Sequence, residues 1–286
     1  MRDYGDLCMP FAENRGAKIY WDEQGQGLPI LLIMGFSYPS DMWHRARPKM
    51  AEGYRTIALD NRGIGRSTMP PGPYSIPLLA SDAAAVLDAA EVVKAHVFGV
   101  SMGGMIAQEF ALQYPERVRS LILACTSPGG WHAASPGIDV MATLMARPTM
   151  TPERAREAFI PIIYASATAR QLIDEDMAIL KNWIAEPAIY RAQLKAILLW
   201  QAYSRLSQIK APTLVIHGER DRLVPPKNSE IIAARIPGAK LVMIPNAGHI
   251  FGTDQPEAAE QAVAEFLRQV DGPQPEASLN SETNAF

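Results

Sequence analysis

His96-Val97-Phe98-Gly99-Val100-Ser101-Met102-Gly103-Gly104-Met105-Ile106 is the stretch on which the reading of this chain turns. Its first residues form a short apolar run, the pattern of a buried strand. The run stops at Gly-x-Ser-x-Gly, and an alanine-rich apolar helix pattern starts at once. A serine so placed sits at the tip of a tight strand-to-helix turn. The glycines two before and two after it are needed because the two arms of the turn pack closely, and a Cβ at either place would clash. The serine then lies at a helix N-terminus, where free amides and the helix dipole favour developing negative charge. Five-residue patterns of this kind arise by chance in many proteins. The strand before and the helix after give this one its weight. The rest of the chain must supply a base, an orienting acid and a second oxyanion donor.

Working outward, Ala17 to Trp21 reads as a strand after a ragged leader that extends to about Asn14. Pro29 to Met34 is continuously apolar, which suits a central strand buried on both faces. It ends in the loop Gly35-Phe36-Ser37-Tyr38-Pro39. A short helix is expected over Trp43 to Met50, a strand over Tyr54 to Leu59 and a helix over Leu78 to Val93. Beyond the opening stretch come a helix over Gly103 to Tyr114, stopped by Pro115, and a strand over Val118 to Cys125. Strand and helix alternate, which predicts a parallel sheet with helices on both faces and functional loops at the carboxyl ends of the strands.

The rhythm breaks between Ser127 and Gln208, where strand patterns vanish. Helices are expected over Gly137–Ala146, Pro152–Ala165, Ala169–Glu186 and Pro187–Tyr203. This stretch reads as a helical cap inserted between two sheet strands. Most of its tryptophans, tyrosines and methionines should form the cap's own core, and a minority should roof an apolar pocket. The sheet resumes with Pro212 to His217, followed by a helix over Ser229 to Arg235, a strand over Lys240 to Ile244 and a closing helix over Pro256 to Val270. The expected division is a core of residues 16–126 and 209–270, a cap of 127–208, and a disordered tail of 271–286 rich in Pro, Ser, Asn and Glu.

A serine hydroxyl needs a base within hydrogen-bond reach, and that base needs a third group to fix its tautomer. Five histidines compete. His96 starts the opening strand, at the wrong end of the sheet. His217 lies inside a strand end and reads as a buried, hydrogen-bonded core histidine. His44 follows the first loop and could line an entrance, and His132 opens the cap and could touch substrate. His249 alone sits on a loop just after a strand with a helix beyond, so it is the chosen base. Among the acids, Asp221 follows the strand that ends at His217. Asp60 is flanked by Arg62, Gly63, Gly65 and Ser67, which suggests a structural turn, while Glu219 and Asp139 are weaker rivals. The order Ser101, Asp221, His249 is the chain order of α/β-hydrolases.

With these residues in place the chain resembles the α/β-hydrolase fold superfamily, and in particular its capped single-domain esterases, lactonases and cofactor-free perhydrolases. The motifs that carry the resemblance are the strand into Met34-Gly35-Phe36, Asp60-Asn61-Arg62-Gly63-Ile64-Gly65-Arg66-Ser67, Gly99-Val100-Ser101-Met102-Gly103-Gly104, Gly218-Glu219-Arg220-Asp221 and Gly248-His249. They span about residues 16 to 270 and specify fold and triad more than substrate. The resemblance implies an oxyanion hole made by the backbone amides of Met102 and Phe36. Many relatives carry His-Gly where this chain has Met34-Gly35, as a subset of methylesterases does. The donor is a backbone N–H, so it is kept.

The implied reaction is attack of Ser101 on an ester or lactone carbonyl, an acyl-enzyme, and its hydrolysis by water activated by His249. The same triad serves acyl-homoserine or enol lactonases, perhydrolases and carbon–carbon hydrolases, and a ligand receptor on a hydrolase fold is a minority alternative. Ser101 stands where a dehalogenase would carry Asp. Gly35, Trp131 and His132 are candidates to line the substrate pocket because they flank loops near the strand ends.

No cofactor and no metal are expected, since no ligand spacing would build a zinc site. The net charge of −3 and the absence of a Lys/Arg cluster speak against nucleic acid as a partner. No apolar run approaches membrane-spanning length. The two cysteines, Cys8 and Cys125, do not make a disulfide framework, and Met1 to Asn14 lacks a secretion pattern, so a cytoplasmic protein is expected. The partner expected is a small-molecule ester or lactone, with the oligomeric state left open.

Overall fold

The computed structural model describes residues 10–183 and 185–272. Its strands are β1 (Phe11–Asn14), β2 (Ala17–Gln24), β3 (Leu28–Ile33), β4 (Tyr54–Leu59), β5 (Ala95–Val100), β6 (Val118–Ala124), β7 (Thr213–Gly218) and β8 (Lys240–Ile244). They form one sheet in the order β1-β2-β4-β3-β5-β6-β7-β8. The pairs β1–β2 and β2–β4 are antiparallel, and every other neighbour pair is parallel.

The helices are α1 (Ala46–Met50), α2 (Ile76–Ala89), α3 (Met102–Gln113), α4 (Ile138–Ala146), α5 (Pro152–Ile163), α6 (Arg170–Leu180), α7 (Pro187–Leu199), α8 (Lys227–Arg235), α9 (Phe251–Asp254) and α10 (Pro256–Asp271). No helix among the described residues is long and apolar enough to cross a membrane.

The apolar runs are buried on both sides because side chains alternate across a strand. Leu31 and Ile33 of β3 pack with α2, α3 and α8 on one face. Ile30 and Leu32 pack with Trp43, α9 and α10 on the other. A third cluster, around Val140, Ile162, Tyr164 and Ile173, is built from the insertion between β6 and β7, with Tyr38, Leu223 and Ile250 packed against it. That insertion leaves and rejoins the sheet at one place. Ala202 N–H donates to the carbonyl of Pro128 at 2.8 Å, and Gly129 and Gln201 form a bridge.

Three differences from the expected elements have physical causes. Phe11 to Asn14 is an edge strand rather than leader. It pairs with β2 through a two-residue turn in which Arg15 and Gly16 both have positive φ, as a tight hairpin requires. The expected helix over 169–186 ends at Leu180, and the one over 187–203 ends at Leu199, beyond which Trp200 turns extended and Gln201 bridges to Gly129 to close the insertion. The last helix takes in Asp271, expected to open the tail. The Asp271 side chain is buried, lies 3.2 Å from the Nε2 of His96, and accepts a bond from the hydroxyl of Tyr54 at 3.0 Å. The rest of the expected tail beyond Gly272, and Cys8, lie outside the described residues.

Candidate active site

β3 and β5 are parallel neighbours with Ile33 opposite Gly99, so the loops that follow them emerge side by side. The turn after β5 is as tight as its glycines imply. A Cβ on Gly99 would strike the carbonyl of Gly103, and one on Gly103 would strike the carbonyl of Ile33. Ser101 between them has φ 58° and ψ −121°, a region that L side chains rarely adopt. Several bonds hold it there. Its N–H donates to Ala124 at 2.8 Å, and its carbonyl accepts from the Thr126 hydroxyl at 2.7 Å and from Gly104 N–H at 2.9 Å. The strained residue is thus fixed from both sides at the start of α3.

The loop after β3 passes close beside it. A Cβ built on Gly35 would lie 3.0 Å from the Cβ of Ser101. Polar side chains pin this loop. Asn61 Nδ2 donates to the carbonyl of Met34 at 2.8 Å, and Asp60 accepts from Ser40 N–H and from its hydroxyl, both at 2.7 Å. The fully buried Gln193, on α7, accepts from Ser37 N–H at 3.1 Å and donates to the carbonyl of Arg62 at 3.2 Å. The N–H groups of Phe36 and Met102 have no protein acceptor among the described residues. They are free to serve a ligand.

Asp221 leaves the end of β7 and is buried. One carboxylate oxygen accepts from the N–H groups of Leu223 and Val224, both at 2.9 Å. The other accepts from His249 Nδ1 at 2.7 Å and faces His217 Nε2 at 3.1 Å. Burial pushes this carboxyl up, but the charges and bonds of the two histidines overcome it and hold it at about 2. Asp221 is therefore an anion at any working pH. With Nδ1 of His249 donating to it, the Nε2 is the atom left to act elsewhere.

The segment that carries His249 is anchored in turn. Asp254 accepts from Gly248 N–H at 2.6 Å, from Ala165 N–H at 3.2 Å and from the Thr168 hydroxyl at 2.5 Å. Ile250 N–H donates to the carbonyl of Ile163 at 3.0 Å. Beside it Asp176 of α6, fully buried, accepts from Thr253, Tyr164, His44 and Arg45 at 2.7 to 3.2 Å. The two carboxyls shift oppositely. Burial raises both, and it prevails at Asp254, whereas the bonds of His44, Thr253 and Tyr164 and the charge of Arg45 carry Asp176 below the usual range.

A cavity of about 620 Å³ opens over this constellation. Ser101, His249, Gly35, Phe36, Met102 and Trp131 all border it. Trp131 stands at its rim, 98 % exposed. His132, a candidate for the same wall, does not border the cavity. It stacks on Tyr203 with ring centroids 3.7 Å apart. His44 pairs with Asp176 rather than lining an entrance, and His96 is buried between Ser120 and Asp271. The Asp60 carboxylate is met by Arg66 and Ser40, while Ser67 bonds its backbone carbonyl and Arg62 pairs with Asp82.

Cys125, His217 and Asp221 are the one group among the described residues whose donor atoms lie within 4.8 Å of one another in the manner of a metal site. Its members already have other commitments. His217 bonds Ser229 at 2.6 Å as well as Asp221, and burial pushes the Cys125 thiol far up, away from the thiolate a metal would need.

Sequence reading missed three contributors. His217 was placed as a core histidine without its contact to Asp221, although both leave the same strand end four residues apart. Gln193 and Asp254 act across long sequence gaps, and nothing local marks them.

Comparison with known proteins fits this geometry. The model of the alpha/beta hydrolase family matches residues 30–262. A poly(3-hydroxyalkanoate) depolymerase of Ectopseudomonas oleovorans is 34% identical over 245 residues, 84% of each chain. A pimeloyl-[acyl-carrier protein] methyl ester esterase of Aeromonas salmonicida is 31% identical over 258 residues, 85% of this chain and 96% of that protein. Among solved structures, a thermophilic esterase of Thermogutta terrifontis superposes with a TM-score of 0.79 at 29% identity, covering 92% of this chain and 97% of its own. This chain belongs to the alpha/beta hydrolase family.

Proposed function

We propose that the protein is a serine hydrolase that cleaves carboxylic esters, lactones included as cyclic esters, with Ser101 as nucleophile, His249 as general base and Asp221 as its orienting anion. The observation that carries this reading is the His249–Asp221 pair at 2.7 Å opening on the same cavity as a strained, loop-tip serine. The relatives include a depolymerase and two esterases, which supports ester chemistry.

In the proposed cycle the Ser101 hydroxyl gives its proton to His249 Nε2 as its oxygen bonds the ester carbonyl carbon. The amides of Phe36 and Met102 receive the oxyanion, an interaction made fully only in the transition state. The imidazolium then protonates the departing alkoxide, and the acyl-enzyme remains. Water attacks it while His249 again takes the proton, and the acid departs as Ser101 is restored. Asp221 stays ionised throughout. Residues 127–208 act as a cap over a core of 16–126 and 209–270, and the acyl or alcohol part lies between them.

Ser101→Ala should lower hydrolysis of p-nitrophenyl butyrate by at least ~10⁴-fold, and a fluorophosphonate probe should label the parent protein but not the variant. Undiminished turnover in the variant would sink the assignment.

A further inference from the structure

The cavity above Ser101 is apolar over most of its wall, yet the charges on it have one sign. Arg147 borders it, and no Asp or Glu does. A second pocket of about 270 Å³ adjoins it and shares Ser37, Tyr38, Arg147, Phe159 and Ile163. This pocket adds Arg156 and Lys181, and again no carboxylate. The whole chain carries a net charge of −3, so the cationic lining is local rather than a reflection of composition.

Arg147 is the group at the junction. Among the described residues it forms no ion pair, whereas Arg156 is paired with Glu153 at 3.2 Å. Its guanidinium lies 5.0 Å from the ring of Tyr190, and that ring lies 4.5 Å from Phe36. Tyr190 is buried and fixed by its hydroxyl, which donates to Leu144 at 3.0 Å. The arginine is thus held one aromatic ring away from the loop beside Ser101. Ser37, which borders the same two pockets, is 7 % exposed and its hydroxyl has no partner among the described residues, while its N–H is taken by Gln193. Ser37 also has a positive φ of 61°. A buried hydroxyl with no partner is costly until something completes it, and a guanidinium without a counter-ion on the same wall is open to an anion. An anion completes both, since a guanidinium fork and a hydroxyl are the donors a carboxylate or phosphate accepts from.

We infer that the site takes esters whose acyl part ends in an anionic group, a carboxylate or a phosphate, bound at the junction of the two pockets by Arg147 and the Ser37 hydroxyl. The inference rests on the ester-hydrolase reading above and adds the substrate class. The apolar wall takes the chain between the two ends, and Lys181 at the outer edge of the smaller pocket contributes field rather than contact.

The test compares monomethyl with dimethyl esters of aliphatic dicarboxylic acids of increasing length, and adds methyl esters of ω-phosphonoalkanoic acids. The half-ester should exceed the diester in kcat/KM by about ten- to hundred-fold at the best length, the worth of one charge-assisted pair. In Arg147→Met that ratio should collapse toward one, chiefly through KM, and Arg147→Lys should restore part of it. A carboxylate preference or a phosphonate preference each supports the inference and says which group is bound. Equal rates for half-ester and diester, or a ratio that survives Arg147→Met, overturn it. Should the variants not fold, competition on the unmodified protein asks the same question. Free dicarboxylates should inhibit at least ten-fold better than monocarboxylates of equal length, and equal inhibition refutes the subsite. Fluorophosphonate labelling of Ser101 separates the two failures. Labelled protein that cleaves diesters without preferring half-esters refutes the subsite alone. Unlabelled protein that cleaves neither refutes the ester reading itself.

Discussion

Replacing Gln193 by Leu tests how the loop beside Ser101 is held. The side chain is fully buried and spans from α7 to two backbone groups, Ser37 N–H and Arg62 C=O, at 3.1 and 3.2 Å. Leucine fills nearly the same volume and offers neither partner. Ser37 and Arg62 are themselves buried, so water cannot replace what is lost. Each orphaned buried group costs about 1–3 kcal/mol, and the added apolar contact returns a fraction of that, so a net loss of about 2–4 kcal/mol is expected. For a domain of this size each kcal/mol moves Tm by roughly 2–4 °C, so thermal unfolding followed by circular dichroism should drop by roughly 5–15 °C. The loop also carries the N–H of Phe36, which the proposed mechanism uses as an oxyanion donor. Losing one oxyanion donor altogether costs about 10²–10³ in kcat, and a loosened donor should cost about ten-fold on a nitrophenyl ester, in kcat rather than KM. A lowered Tm with unchanged kcat would refute the reasoning, because Asn61 and Asp60 would then suffice to place the loop. An unchanged Tm would show that the two bonds contribute nothing net.

Two further outcomes follow from buried charges. His217→Phe removes one donor from Asp221 while keeping a ring of similar shape. Its kcat/KM should fall by up to about ten-fold, in kcat rather than KM; an unchanged kcat/KM would contradict this. Asp176→Asn should cost about 2–4 kcal/mol at neutral pH, toward the low end of buried-pair losses because His44 and Arg45 are partly exposed. Asp176 is held below its unfolded value. Its stabilisation is therefore present above the unfolded value near 4 and lost as pH falls through the folded one, so Tm values of variant and parent should converge below about pH 4. A gap that stays constant from pH 7 to pH 3 would refute the assignment.

Much of the placement of the candidate site is legible in the sequence because its signals are local. The Ser101 turn announces itself through adjacent glycines, and Asp221 and His249 each follow an apolar strand by a few residues. Parallel strands bring such ends to one edge whatever the cap does. The β1 strand was lost because four residues of mixed character carry little periodicity, although the turn at Arg15 and Gly16 was a usable hint. Gln193, Asp254 and Asp176 were not legible because each acts on a segment far away in sequence. Arg147 sits in a single 3₁₀ turn between α4 and α5, where no period marks a face. His132 misled because proximity to a strand end does not set the direction of a side chain, and here a tyrosine ring turns it aside.

The carboxylate of Asp254 holds Gly248, next to His249, together with Ala165 and Thr168 of the loop between α5 and α6. In engineering terms the insertion and the loop that carries His249 are one part with two ends. A foreign insertion grafted between β6 and β7 would arrive without those two partners, and a half-buried carboxylate would be left to find others. Exchange of the insertion therefore has to carry residues 163–168 along with the graft, or redesign Asp254 with it, if His249 is to keep its place.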